Sequence, residues 1–399
     1  MCNQSFINWI RMPFIPKLLV RSALLLLSAT YSLSTEAGVL PEDRADLLYH
    51  VYDGGGVEVK GPSLFVRKKF SENIAANATY DVDMVSSASI DVMTSASPYK
   101  EERKEWSGGG SYLRGKTTYN VSYLKSSEPD YLSNNLNFSI NEDMFGDLTT
   151  VTLGYSSGKD EISKRISKGI YEPAAGIGKE SDSNAKRRSY RLGFSQIMTR
   201  SMLVGINYES SALEGYLQNP YRSVRYGPAN TTPATQSERF PRTRTSNAVA
   251  IDARYYLPYR ASAKLGYRHY TDSWGIVSNN GDLEYVHPIG NNWTFEGTAR
   301  YYTQKHADFY SDLFPFIDAQ NFLARDKLLS TFNDWSVRLG ASWNWHHTPK
   351  VSSVISAYID HYQYNFHDFR DATVKASPGS QPLYSYGANV YMAQYSIRY

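Results

Sequence analysis

The sequence predicts an all-β fold: a transmembrane antiparallel up-and-down β-barrel of about sixteen strands, with short periplasmic turns and long extracellular loops. Three observations carry this expectation. Apolar and polar residues alternate with period two through most of the chain; tight turns alternate with long polar connections; and the last ten residues, VYMAQYSIRY, still alternate at the final position.

Alternation is the primary signal. Tyr190, Leu192 and Phe194 alternate with Arg191, Gly193 and Ser195, and after Thr199-Arg200 the residues Met202, Val204, Ile206 and Tyr208 alternate with Gly205, Asn207 and Glu209, which reads as a hairpin. The same sorting recurs around Val151/Leu153/Tyr155, Val249/Ile251/Tyr255, Ala263/Leu265/Tyr267, Trp293/Phe295/Tyr301 and Val337/Leu339/Trp343. One face of every segment is apolar and the other polar.

A soluble sandwich would alternate too, so the connections decide. Tight turns are expected near 71–73, 115–116, 145–147, 199–200, 258–260, 290–292 and 348–349, and long polar stretches at 87–104, 160–186, 217–245, 310–332 and 367–382. Seven turns join fourteen strands and the C-terminal segment adds another. A strand at 47–52 or 57–60 completes sixteen; fourteen is the alternative if residues 38–62 form a plug, with the barrel then spanning 63–399. Closure is required, because an open edge in lipid leaves backbone donors and acceptors without partners.

Composition fits and excludes. The 399 residues include 33 tyrosines, whose apolar body and polar tip suit strands and membrane interfaces alike. Mean hydropathy is −0.47, and no apolar run beyond the N-terminus approaches the ~20 residues of a membrane-crossing helix. Net charge is only +3 with Lys and Arg scattered, so nucleic acid is not an expected partner. Outer-membrane lipid and the outer-membrane assembly machinery are.

Residues 1–37 read as a signal peptide: Arg11, Lys17 and Arg21, then the apolar SALLLLSATYSL (22–33), then Thr35-Glu36-Ala37 at the cleavage positions, with Met12 as an alternative start. The expected destination is the outer membrane of a Gram-negative envelope. The single cysteine, Cys2, leaves with this segment, so the mature chain is expected to hold no disulfide or Cys-ligated metal. At the other end, Tyr391, Tyr395, Ile397 and Tyr399 form the expected assembly signal.

Two stretches, LPEDRADLLYHVYDGGGVEVKGP (40–62) and YDVDMVSSASIDVMTSASPYKEERKEW (80–106), resemble the signature segments of the bacterial domain-of-unknown-function family 3570. The resemblance implies an envelope protein without an assigned reaction. It also implies a gene setting with envelope redox proteins, hence periplasmic partners as an alternative to transport. It supplies no catalytic residues.

The residues themselves offer few chemical motifs. His346-His347 and the His361/His367 pair lack a converging metal-ligand spacing. Asp81, Asp83 and Asp91 with Glu101 and Glu102 are oxygen-rich without a calcium-loop pattern. No G-x-S-x-G context marks a serine nucleophile, and Gly54-Gly55-Gly56 lacks the Lys-Ser/Thr of a phosphate loop, so a sharp turn is expected there. No enzyme activity, cofactor or metal is expected. Trp293, Trp343 and Trp345 belong to an inner interfacial girdle and Trp335 to an outer one.

The remaining candidates line the lumen. With the apolar parity toward lipid, 246–303 points Asp252, Arg254, Lys264, Arg268, Asp282, Glu284, Glu296 and Arg300 inward, four negative and four positive. Such a ladder lines a weakly selective pore or locks the wall around a plug. The expected function is a porin-like channel or binding barrel for small polar solutes; the alternative is a non-conducting scaffold that docks periplasmic or cell-surface partners.

Overall fold

The computed structural model describes residues 39–87, 99–167, 169–228, 232–348 and 351–399. The expected signal peptide and Asp91 lie outside them. Strands run in chain order as β1 (Arg44–Gly54), β2 (Val57–Ser71), β3 (Ile74–Ser87), β4 (Tyr99–Arg114), β5 (Thr117–Glu128), β6 (Tyr131–Met144), β7 (Thr149–Ser167) and the short β8 (Ile170–Pro173). They continue as β9 (Asn184–Thr199), β10 (Met202–Gly215), the short β11 (Ser223–Tyr226) and β12 (Ala234–Ser237), then β13 (Thr243–Tyr256), β14 (Ser262–Asp272), β15 (Val277–Ile289), β16 (Trp293–Gln304), β17 (Phe332–Thr348), β18 (Val351–Arg370) and β19 (Leu383–Arg398).

Sixteen of these, all but β8, β11 and β12, pair antiparallel with their chain neighbours and close when β1 pairs with β19. The seam runs from Arg44 opposite Arg398 to Gly54 opposite Ala388. Arg44–Gly54 is therefore a wall strand, the first of the two alternatives for residues 38–62. Closure leaves no edge, which is what makes a sheet tolerable in lipid.

All seven expected tight turns lie on one rim, together with both ends of the described chain. The opposite rim is more mixed than expected. Long connections at 88–98, 168–183, 216–242, 305–331 and 371–382 alternate with three tight ones: Gly55-Gly56, 129–130 and 273–276. Gly55 and Gly56 have φ of 60° and 77°, the pair of positive values a two-residue hairpin turn demands. Strands β7 and β18, of 19 and 20 residues, outrun the bilayer, which is why several stretches read as loop are ladder.

The alternation sorts as the lipid requires. Leu265, Leu339, Tyr301 and Leu283 are more than half exposed on the outer face. Trp293, Trp343 and Trp345 stack in series at the tight-turn rim, with ring centroids 6.4 and 5.8 Å apart. Trp335 sits outward beside His361 toward the loop rim. Tyr391, Tyr395 and Tyr399 face lipid, while Val390, Met392, Gln394 and Ser396 are buried inside. Among the described residues, no helix is long and apolar enough to cross a membrane.

Candidate functional site: the lumen and its closures

At the loop-rim mouth the interior is filled by the chain's own loops. Connection 305–331 turns inward and buries Ala307, Phe309, Tyr310, Leu323, Ala324 and Leu329. These meet an aromatic wall supplied by Tyr358, Tyr362, Tyr364 and Phe366 of β18, Phe332 of β17 and Tyr52 of β1. Tyr364 stacks on Tyr386 at 4.7 Å, and Phe366 packs on Phe332 at 5.3 Å. Trp274, in the tight 273–276 turn, completes the cluster edge-on to Phe309 and Phe240.

Charges latch this closure to connection 216–242. Arg222 reaches Asp326 at 2.5 Å, Arg225 reaches Asp312 at 2.8 Å, and Arg325 holds the same Asp312 at 2.9 Å. The Arg325 amide donates to Glu238 Oε1 at 2.8 Å. Backbone bridges Tyr226–Phe314 and Arg239–Leu323 tie the two connections directly. Arg225 is held below its usual pKa by burial and by Arg325 beside it, while burial pushes the Tyr310 hydroxyl well up. His306 meets both Asp368 Oδ2 (2.8 Å) and Thr331 Oγ1 (3.1 Å) through the same Nδ1, which ties the start of connection 305–331 to its end and to β18.

Below the mouth the wall is charged, and its exposure varies from pair to pair. Arg338 Nε and Nη2 donate to the two oxygens of Asp360 at 2.5 and 2.8 Å, a bidentate pair whose side chains are 2 % and 3 % exposed. Arg187 with Asp160, and Arg300 with Asp334, are similarly enclosed. These lie in the loop-rim half. On the β9 to β15 side, Arg191 and Glu209 at mid-strand and Arg254 and Lys264 near the tight turns are about a fifth exposed, and Arg268, nearer the loop end of β14, is exposed. Across β4 to β7 the inward set combines the charges of Arg103, Glu105 and Asp160 with hydroxyls and amides: Ser111 donates to Asn120 at 2.7 Å, Ser156 to Asn135 at 3.0 Å, and Thr152 to Asn141 at 2.9 Å.

All eight ladder residues take the inward parity, but they pair differently from a self-contained ladder. Arg254 meets Glu284 at 3.1 Å and Lys264 meets Asp282 at 4.0 Å. Arg300 leaves the set for Asp334 and Asn280. Arg268 lies 5.6 Å from the Tyr270 ring, Asp252 faces Gly205, and Glu296 faces Gly340.

The oxygen-rich group regroups as well. Asp83 takes His50 (3.0 Å) and Arg103 as partners, with Asp81 and Glu105 beside them, while Glu102 points outward to Lys104. Glu101 instead converges with Glu128 and Asp130, their oxygens within 4.8 Å of one another, a cation-compatible cluster the sequence did not reveal because Glu128 and Asp130 belong to another hairpin. The histidines disperse: His347 contacts Ser353, His361 Asn389, and His367 Asn333.

The tight-turn rim is partly covered too. Leu40 packs on Ala75 and Leu113, and Asp43 accepts from Lys68 and from the Lys69 amide at 2.5 Å, which holds its carboxyl below the usual range.

Residues 88–385 match the family described as protein of unknown function (DUF3570). The chain belongs to this family. No curated protein matches it. Among solved structures this DUF3570 chain is similar to a bacterial polysaccharide outer membrane secretin, at 9% identity and TM-score 0.48 over 89% of this chain and 98% of that one. It is also similar to the CymD monoaromatic hydrocarbon channel, at 11% identity and TM-score 0.44 over 92% and 91%, and to a Pseudomonas aeruginosa FadL homologue, at 9% identity and TM-score 0.42 over 90% of each. The closed sixteen-strand wall with its lipid-facing apolar parity makes the chain an outer-membrane-type β-barrel.

Parity can be checked chemically. In a Cys2→Ser background, cysteines at Asp252, Lys264 and Arg268 are expected to react with water-soluble thiol reagents and cysteines at Val249, Ile251 and Leu265 to stay protected in vesicles. The reverse pattern would overturn the register.

Proposed function

We propose that this barrel admits small polar solutes from the periplasmic side and passes or holds them in a lumen whose cell-surface mouth is closed by its own loops. The observation that carries this reading is the contrast between two places: Arg254 and Lys264 near the tight turns are about a fifth exposed, while Asp326 and Asp334 at the loop rim are fully buried. An interior that is polar and wet on one side and latched on the other is what a gated channel needs. The amides and hydroxyls among the inward groups of β4 to β7 hydrogen-bond uncharged solutes without the desolvation cost of a charge. No step of this reading requires catalysis or a cofactor. It also has residues 1–37 removed on export and the C-terminal strand taken up by the assembly machinery.

A second reading, the non-conducting scaffold, draws on Arg338–Asp360 and Arg187–Asp160, which brace the wall in the dehydrated half. Planar-bilayer conductance separates the two. Wild type is expected to be closed or to flicker, and a D312A/D326A variant, which removes the acceptors of Arg222, Arg225 and Arg325, should show steady conductance. An excision of 308–326 should open further. If all three stay sealed while running as folded barrels, the transport reading fails and the scaffold stands.

A further inference from the structure

The outward-facing cations are confined to one half of the circumference. On the lipid-facing parity of β10, β13 to β19 and β1 there is no lysine or arginine. On β2 to β9 the same parity carries Lys68 and Arg114 near the tight turns, Lys60, Lys104, Lys125, Lys159, Lys186 and Arg188 farther along the strands, and Lys100 and Arg165 toward the loop ends. Four of them share a level: Lys60, Lys104, Lys159 and Arg188 stand ten or eleven residues from Ser71, Arg114, Thr149 and Thr199, the tight-turn ends of their strands. At about 3.3 Å per residue and a tilt of about 40°, that is about 25 Å, the height of the apolar band. These four cations therefore sit where acyl chains give way to headgroups in the outer leaflet.

Their own partners do not satisfy them. Glu58, Glu102 and Glu161 each hold one ammonium, at 2.5, 2.7 and 2.8 Å from Lys60, Lys104 and Lys159. Among the described residues Lys125, Lys186 and Arg188 have no carboxylate partner. Lys159 and Lys186 are direct cross-strand neighbours on β7 and β9, a like-charge pairing that destabilises a sheet unless an anion lies between them.

We propose that the outer face of β2 to β9 is a binding surface for the phosphate groups of the outer-leaflet glycolipid. Lys60, Lys104, Lys159 and Arg188 form an arc at one height, with Lys125 and Lys186 eight and thirteen residues from the tight-turn ends of β5 and β9. A lipid that presents two phosphates on a multi-acyl anchor meets this arc with its charges while its chains lie along Tyr190, Leu192, Leu153 and Tyr155 below. The uncharged half has no such affinity, so the barrel has a defined orientation among its lipids.

The test titrates the detergent-solubilised folded barrel with fluorescent bisphosphorylated lipopolysaccharide, its dephosphorylated form, and phosphatidylglycerol. Wild type should bind the bisphosphorylated form, weakening with added salt. A K159Q/K186Q/R188Q variant should bind about a hundredfold less, at about fivefold per cation, and K104Q/K125Q should show an intermediate loss. R114Q, at the opposite rim, should bind as wild type. Heat-modifiable migration verifies that each variant is folded. Equal binding of the dephosphorylated form, undiminished binding by the triple variant, or an equal loss in R114Q would overturn the proposal; equal affinity for phosphatidylglycerol would overturn the glycolipid as its occupant.

Discussion

Replacing Arg338 by alanine is expected to lower the stability of the folded barrel by about 3–5 kcal/mol, because it leaves Asp360 charged and enclosed without its bidentate partner. Asp360→Ala should cost a similar amount by stranding the guanidinium. The loss is large against the roughly 5–15 kcal/mol that holds typical folded proteins together. Replacing both residues together, Arg338→Met with Asp360→Leu, should recover most of it, since an apolar pair of similar volume removes both charges at once. The measurement is the urea midpoint of heat-modifiable migration for the four proteins. If either single variant unfolds within about 1 kcal/mol of wild type, water reaches this pair, and the closure of the loop-rim half is not what the buried geometry implies. The contrast is with Arg254→Ala, whose side chain is already a fifth exposed and whose loss water can compensate.

How much of this was legible in the sequence follows from what the surroundings constrain. Lipid enforces period two on every outward position, so Leu265, Tyr267, Val249 and Ile251 could be placed without knowing any contact. The turns were legible because a two- or three-residue connection leaves little choice of partner. Inside the barrel that constraint lapses. Tyr358, Tyr362, Tyr364 and Phe366 are as apolar as their outward neighbours Ile355 and Ile359, and only the folded chain shows that they receive the 305–331 connection. The signal was present in the loop-rim half of β18, where Tyr362, Tyr364 and Phe366 on the inward parity alternate with His361, Gln363 and Asn365 on the outward one, so that the apolar side faces the interior. Connection 305–331 has no period to read, because it lies against the wall as irregular chain and a short 3-10 turn. The residues of the charge ladder share one parity, but their pairing was not legible: Arg300 pairs with Asp334 on β17, beyond the window that defined the set. Cross-strand partners depend on register, and parity alone does not supply it.

Replacing Tyr391, Tyr395 and Tyr399 together by serine is expected to reduce folded protein in the membrane several-fold. These residues are the outward side of the strand that closes the barrel, opposite Val51, Leu47 and the segment leading into β1. Each loses an aromatic body from lipid, on the order of 1–2 kcal/mol. Tyr395 also gives up its contact with Ser353 Oγ at 2.9 Å, and Tyr399 its place under Lys68, whose ammonium lies 5.1 Å from the ring. Loss at the seam is worse than loss elsewhere, because β1 and β19 are joined only by their ladder and no turn holds them together. An unzipped seam exposes two rows of backbone groups to hydrocarbon. The inward set on the same strand is the internal control: Gln394→Ala and Ser396→Ala change no lipid-facing residue and should leave membrane levels near wild type. Quantifying the folded, heat-modifiable species in isolated outer membranes distinguishes the outcomes. Undiminished levels for the triple serine variant would show that the backbone ladder alone closes this barrel and that the terminal aromatics are incidental to both its stability and its assembly.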